Sequence, residues 1–126
     1  MTTAYDTSSQ PPAPFIEFEV VSPQDSTQQR LAQGLLDTGA EVSVLPVELL
    51  TALQIPKASD MSVESWDGSP TLVTTYIVTL GIADARLDSI EVVAAPMPYA
   101  ILGRDVLNHF ILTLNGKDLI FELQDP

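Results

Sequence analysis

Apolar and polar positions alternate along much of this chain, and the alternation predicts strands. Phe15-Ile16-Glu17-Phe18-Glu19-Val20 sets apolar side chains against acids in the two-residue rhythm of a half-buried strand. Ser22 to Gln28 is polar and contains Pro23, so it reads as a loop or hairpin tip. Arg30 to Leu36 returns as a second strand and delivers Asp37 to a turn. Ala40 to Leu45 is valine-rich and predicts a third strand. Pro46 then opens a short helix over Val47 to Leu53, with Glu48 in the first turn, where the helix dipole favours an acid.

The second half repeats the two-residue rhythm. Met61 to Ile82 predicts a long hairpin with its tip at Trp66-Asp67-Gly68-Ser69-Pro70. Gly81 to Asp84 makes another turn, and Leu87 to Ala94 is a further strand. Pro96 and Pro98 break it. Tyr99 to Leu102 is a short apolar strand running into Gly103, and Arg104 to Phe110 is a short helix. Ile111 to Leu114 and Leu119 to Leu123 are strands joined through Asn115-Gly116, a strong hairpin signal. Residues 1–13 are polar and proline-bearing and read as a flexible leader, leaving 14–126 as one domain. The pattern is mostly β with two short helices.

Composition narrows the partners. A chain of 126 residues can bury a real core without staples. It has no cysteine, which removes disulfides and thiolate metal sites and fits a reducing compartment. No apolar run is long enough to span a membrane, and the N-terminus lacks the features of a signal peptide, so a cytoplasmic location is expected. Seventeen acids against five bases give a formal charge of −12. That field repels phosphate, so neither nucleic acid nor an anionic membrane surface is an expected partner. A single histidine, His109, disfavours imidazole-based triads and His-rich metal sites.

The chemistry concentrates in Leu35-Leu36-Asp37-Thr38-Gly39-Ala40. A strand ends by pushing one carboxylate into a turn between apolar segments, and an ionised acid there is expensive unless it is hydrogen-bonded or functional. Asp and Gly are also ordinary turn residues, so alone the motif admits a purely structural reading. One carboxylate is a poor peptide-bond hydrolase. Two within a few ångströms share a proton, so that one activates water while the other donates. Only one Asp-Thr-Gly is present, so the second acid has to come from a second copy across a two-fold axis.

Together with Ile101-Leu102-Gly103-Arg104 and a turn-tipped hairpin between, the motif resembles the retropepsin family. These are the homodimeric aspartic proteases of retroviruses and their cellular relatives, and the likeness runs from Phe15 to Leu114. It implies an all-β, closed-barrel-like acid-protease fold with a flap hairpin. It implies that Asp37 is the catalytic acid, that Thr38 locks the two active-site loops together across the dimer axis, and that Gly39 lets substrate approach the backbone. Leu35, Ala40, Glu41, Tyr99 and Ile101 would line the substrate site, with Trp66, Asp67 and Gly68 at the flap tip. Glu41, where the family usually has Asp, would pair with Arg104. The expected function is cleavage of extended peptides at apolar sites by a homodimer with no metal or cofactor. The alternative is a retropepsin-like dimer that binds a peptide or protein without cutting it. The flap tip departs from the glycine-rich retroviral pattern, and the chain continues past Asn115, which predicts a larger intersubunit sheet.

Overall fold

The computed structural model of the chain describes residues 2–65 and 67–125. In chain order these form β1 (Thr2–Ala4), β2 (Phe15–Val21), β3 (Gln29–Leu36), β4 (Val44–Pro46), α1 (Val47–Ala52), β5 (Lys57–Glu64) and β6 (Pro70–Ile82). Then follow β7 (Ala85–Ala95), β8 (Ala100–Leu102), α2 (Arg104–Leu107), β9 (Ile111–Asn115) and β10 (Ile120–Gln124). The all-β expectation with two short helices holds.

Strands β2, β3, β8, β4, β7 and β6 lie side by side in that order, and β6 returns to pair with β2 through Val20 and Leu80. The sheet therefore closes into a barrel, which removes its edges. Along β2 the alternation does what it promised: Phe18 and Val20 are buried while Glu17 faces out. They meet Leu36, Leu45, Leu80, Ile82 and Leu102 in the barrel interior. The contact is tight where β2, β3 and β8 cross. A Cβ added to Gly34 would lie 2.8 Å from Phe18 and 3.0 Å from Leu102. β5 extends the sheet beyond β6, and the two run out together as the long hairpin.

Three local expectations change. Ala40 to Val42 is not strand; only Val44–Pro46 is. The carbonyls of Ala40 and Glu41 instead accept the first backbone N–H groups of α2. The hairpin expected at Asn115-Gly116 is present but shifted by one residue, because Asn115 pairs with Ile120 and the loop spans residues 116–119. There the Asn115 carboxamide accepts from the Asp118 N–H and donates to the Asp118 carboxylate. Finally, the segment expected as a leader carries structure. Thr2–Ala4 pairs antiparallel with β10, making a second, three-stranded sheet in the order β1, β10, β9. Tyr5 packs its ring 6.3 Å from that of Phe121, and Asp6 exchanges two backbone hydrogen bonds with Ala13. Local sequence hides this strand because its partner lies at the far end of the chain. Among the described residues no helix is long and apolar enough to cross a membrane.

Candidate functional site

The site is built where β3 and β8 run parallel, with Leu35 opposite Ile101 and Leu36 opposite Leu102. The Asp37 N–H continues that ladder onto the Leu102 carbonyl at 3.0 Å. Asp37 thus leaves the sheet with its backbone fixed. Its carboxylate accepts the Gly39 N–H at 2.9 Å, and the Ala40 N–H closes the turn onto the Asp37 carbonyl. Asp37 and Ala40 are half-buried, while Thr38 and Gly39 are exposed at the loop tip. Gly39 has a reason of its own: a Cβ there would crowd Asp37 Oδ1 at 3.2 Å.

What holds this loop is a pair of residues that sequence reasoning passed over. Ser43 is fully buried. Its hydroxyl donates to Asp105 Oδ1 at 2.7 Å and accepts the Gly103 N–H at 2.9 Å, while its own N–H donates to Asp105 Oδ2 at 3.0 Å. Asp105 also accepts the Val106 N–H. One carboxylate on α2 therefore fastens the far end of the Asp37 loop, and every polar atom in the lock has a partner. Asp105 acts on the loop through Ser43, at both its N–H and its hydroxyl. Ser43→Ala strips the acceptor from the buried Gly103 N–H. We expect a loss of about 1–3 kcal/mol in unfolding free energy, read as a lower urea midpoint with an unchanged slope.

Arg104 behaves partly as expected. Its Nη2 lies 3.9 Å from Glu41, whose side chain is 85% exposed, so that ion pair is weak. The stronger bond runs from Nη1 to the Thr38 carbonyl at 2.7 Å. Arg104 therefore holds the loop tip through backbone.

Beside Asp37 stands an apolar wall. Leu35 and Ile101 are neighbours in register and half-buried. Phe15 faces Leu35 across β2 and β3, and its ring meets Tyr99 edge-on, with centroids 5.0 Å apart at 87°. Phe15 was not among the expected site residues. The antiparallel pairing of β2 with β3 is what brings it there, and sequence alone does not supply that register.

Glu41, Asp67 and Gly68 are exposed, and the last two sit at the tip of the β5–β6 hairpin; Trp66 lies outside the described residues. The tip is closed by the Ser65 N–H on the Ser69 carbonyl and the Gly68 N–H on the Ser65 carbonyl, both 2.8 Å. Gly68 sits at φ 85°, a conformation that favours glycine. The Asp67 carboxylate accepts the Ser69 hydroxyl at 2.7 Å and the Ser69 N–H at 3.0 Å. These bonds, the hydroxyl first, hold its pKa below the ordinary 3.8. A lowered folded-state pKa stabilises the turn fully above 3.8, and that stabilisation is lost as pH falls through the folded value. A titration followed at the Ser69 amide is expected to show a midpoint below 3.8; one at or above 3.8 would show that the carboxylate does not hold the turn.

Two of the cavities among the described residues lie away from Asp37. One of about 680 Å³ is lined by Ile16, Phe121 and Leu123 with Glu17 and Asp84. Another of about 450 Å³ runs behind Tyr99, between Leu31, Leu49 and Met97. Neither includes the Asp37 loop, which is an open face and not a pocket. Among the described residues no cluster of His, Cys, Asp and Glu could hold a metal ion.

A barrel with a parallel strand pair ending in Asp-Thr-Gly, and the long β5–β6 hairpin on the same sheet, defines a retropepsin-like fold. A sequence model of the family described as "gag-polyprotein putative aspartyl protease" matches residues 27–109. The chain belongs to that family. Among solved structures, EIAV protease complexed with the inhibitor HBY-793 is 22% identical, with 84% of this chain covering 92% of that one at a TM-score of 0.58. The simian foamy virus (mac) protease is 18% identical over 75% of this chain and 92% of its own, with a TM-score of 0.55. A retropepsin-like aspartic protease from Rickettsia conorii is 15% identical over 96% of this chain and 88% of its own, with a TM-score of 0.62. At these identities the likeness is one of fold. No curated protein matches the sequence.

Proposed function

We propose that this chain is an aspartic endopeptidase that acts as a homodimer and cuts extended peptides between apolar side chains. The observation that supports this most is the state of the Asp37 loop. Its carboxylate is oriented by the Gly39 N–H, its base is locked by Ser43 and Asp105, and its tip at Thr38 and Gly39 is open for a second copy. Two Asp37 side chains facing each other would share one proton. The ionised one takes a proton from water as that water adds to the peptide carbonyl, while its neutral mate donates to the carbonyl oxygen. Proton transfer to the amide nitrogen then expels the amine. No covalent intermediate and no cofactor are needed. Leu35, Ile101, Tyr99 and Phe15 give the apolar preference, and the flap and active-site backbone favour an extended substrate.

The surface for the second copy is β9. β9 is an edge of the three-stranded sheet, and it exposes Ile111 and Leu114 at 51% and 45%. An exposed apolar edge strand is a template for pairing. Deleting the chain beyond Asn115 would be an uninformative test. β10 is the middle strand of that sheet, and Phe121 and Leu123 belong to the core. Point variants are cleaner. Ile111→Lys and Leu114→Lys are expected to shift sedimentation from dimer to monomer and to lower activity in step.

The function itself is tested by incubating the wild-type protein with a mixed peptide library at about pH 5, pH 7 and pH 9. Cuts between apolar residues, faster at mildly acidic than at alkaline pH, are the expected result. A folded dimer that cuts nothing would replace this reading with a peptide-binding module.

A further inference from the structure

The flap is a two-stranded ribbon on a fork. β6 is paired with β7 from Ile82 to Thr75, where Thr75 faces Val93. β7 also pairs with β4 from Val93 to Ala95. From Thr74 to the tip, β6 is laddered only with β5, through Asp60 to Glu64. A lone two-stranded ribbon is marginally stable, so the angle at which this one leaves the barrel is set at the fork. The register of β5 slips at the same place, between Lys57 and Ser59, which leaves Ala58 as an extra residue. A bulge of this kind bends a strand and increases its twist.

One side chain spans the fork. Glu91 Oε2, on β7, accepts the Thr75 hydroxyl from β6 at 2.6 Å and the Ser59 hydroxyl from β5 at 3.0 Å. The two hydroxyl oxygens are 2.9 Å apart, and Thr75 Oγ1 lies 3.2 Å from the Ser59 carbonyl. Thr75 is fully buried, while Glu91 is exposed. Resting on the aspartic-endopeptidase reading above, we infer that Glu91 is a positioning residue for the flap. It clamps both arms of the hairpin at their pivot and sets the flap's angle over the Asp37 loop.

Two further observations support the assignment. Val93, the β7 partner of Thr75, donates its N–H at 3.0 Å to the carbonyl of Ser43, the residue that locks the catalytic loop. The flap pivot and the catalytic loop are thus anchored on the same residue. The Thr75 hydroxyl, and after it the Ser59 hydroxyl, also lowers the Glu91 pKa below its ordinary value. Glu91 therefore stays ionised, a full acceptor, throughout the mildly acidic range.

The clamp is tested by amide hydrogen exchange in the free protein, which needs no catalysis. Glu91→Ala is expected to speed exchange about tenfold at the β5–β6 amides of residues 60–74, the scale of one hydrogen bond to a charged group. Exchange at Val78, Leu80 and Val92 should not change. Glu91→Gln, which keeps an acceptor oxygen, should stay within about twofold of wild type, and Thr75→Val should reproduce Glu91→Ala with no further increase in the double variant. With peptide substrate, Glu91→Ala should raise KM about fivefold while kcat changes less than about twofold, because the loss falls on flap closure. Unaltered flap exchange in Glu91→Ala overturns the proposal. So does equal acceleration in flap and barrel, which would mark a merely structural role. If wild type cuts no peptide yet flap exchange responds as described, the protease reading fails and the clamp stands.

Discussion

Asp37→Asn is expected to lower peptide hydrolysis by about 10³-fold or more while leaving the fold and the dimer intact. The substitution keeps the shape of the side chain and the acceptor oxygen that takes the Gly39 N–H at 2.9 Å, so the loop has no reason to move. What it removes, on the proposed mechanism, is the carboxylate that accepts a proton from water. Mixing makes the test sharper. If wild-type and Asp37→Asn subunits exchange freely in equal amounts, about a quarter of all dimers carry two Asp37 side chains. Total activity should then fall to about half of what the same wild-type protein shows alone. Activity unaffected by the added mutant would mean that one chain suffices, and the two-carboxylate mechanism would fail.

Gly103→Ala is expected to damage the site from behind. A Cβ at this position would lie 2.8 Å from the Ala40 carbonyl oxygen and 3.2 Å from the Val42 carbonyl carbon. Both are backbone, so no side chain can turn aside to make room. The Ala40 carbonyl is also committed to the Arg104 N–H at 2.8 Å, so the added methyl drives a wedge between α2 and the Asp37 loop. We expect a cost of about 3 kcal/mol, the upper end for overpacking. In a domain of this size that lowers Tm by about 10 °C. A displacement of the loop by an ångström would reduce turnover about a hundredfold. Gly116→Ala is the control. Nothing lies within 4 Å of its added Cβ, and stability should change by less than about 0.5 kcal/mol. Equal melting of the two variants would overturn the wedge argument.

Much of this architecture was legible because it is written in short-range pattern. Strands β2, β3, β6 and β7 follow alternation and β-branched runs. The tip at Asp67-Gly68 follows turn chemistry, and Asp37 announces itself as an acid between apolar segments. The parts that were hidden depend on partners far along the chain. Ser43 sits in Val42-Ser43-Val44-Leu45 and looks like an ordinary strand residue; only its pairing with Asp105 makes it a lock. Phe15 becomes part of the apolar wall through its register with Leu35. Glu91 looks like a solvated strand acid until β5 and β6 bring two hydroxyls to it. Thr2–Ala4 contains no apolar rhythm at all and becomes a strand because β10 offers it an edge. In each case the missing information was a contact across the fold, which neither propensity nor periodicity encodes.

That last pairing also sets a timetable. Chains emerge from the ribosome at about 5–20 residues per second, and their N-terminal parts begin to fold first. The β1 strand must nonetheless wait, because its partner Ile120–Glu122 is made after every strand of the barrel. β9 gains its neighbour at the same moment. The barrel strands around Phe18 and Leu80 are made earlier, but the sheet that presents Ile111 and Leu114 completes only once β10 has emerged. On the reading proposed above, a chain that has emerged only as far as β9 carries Asp37 without a finished surface on which to pair it, so proteolysis waits for β10.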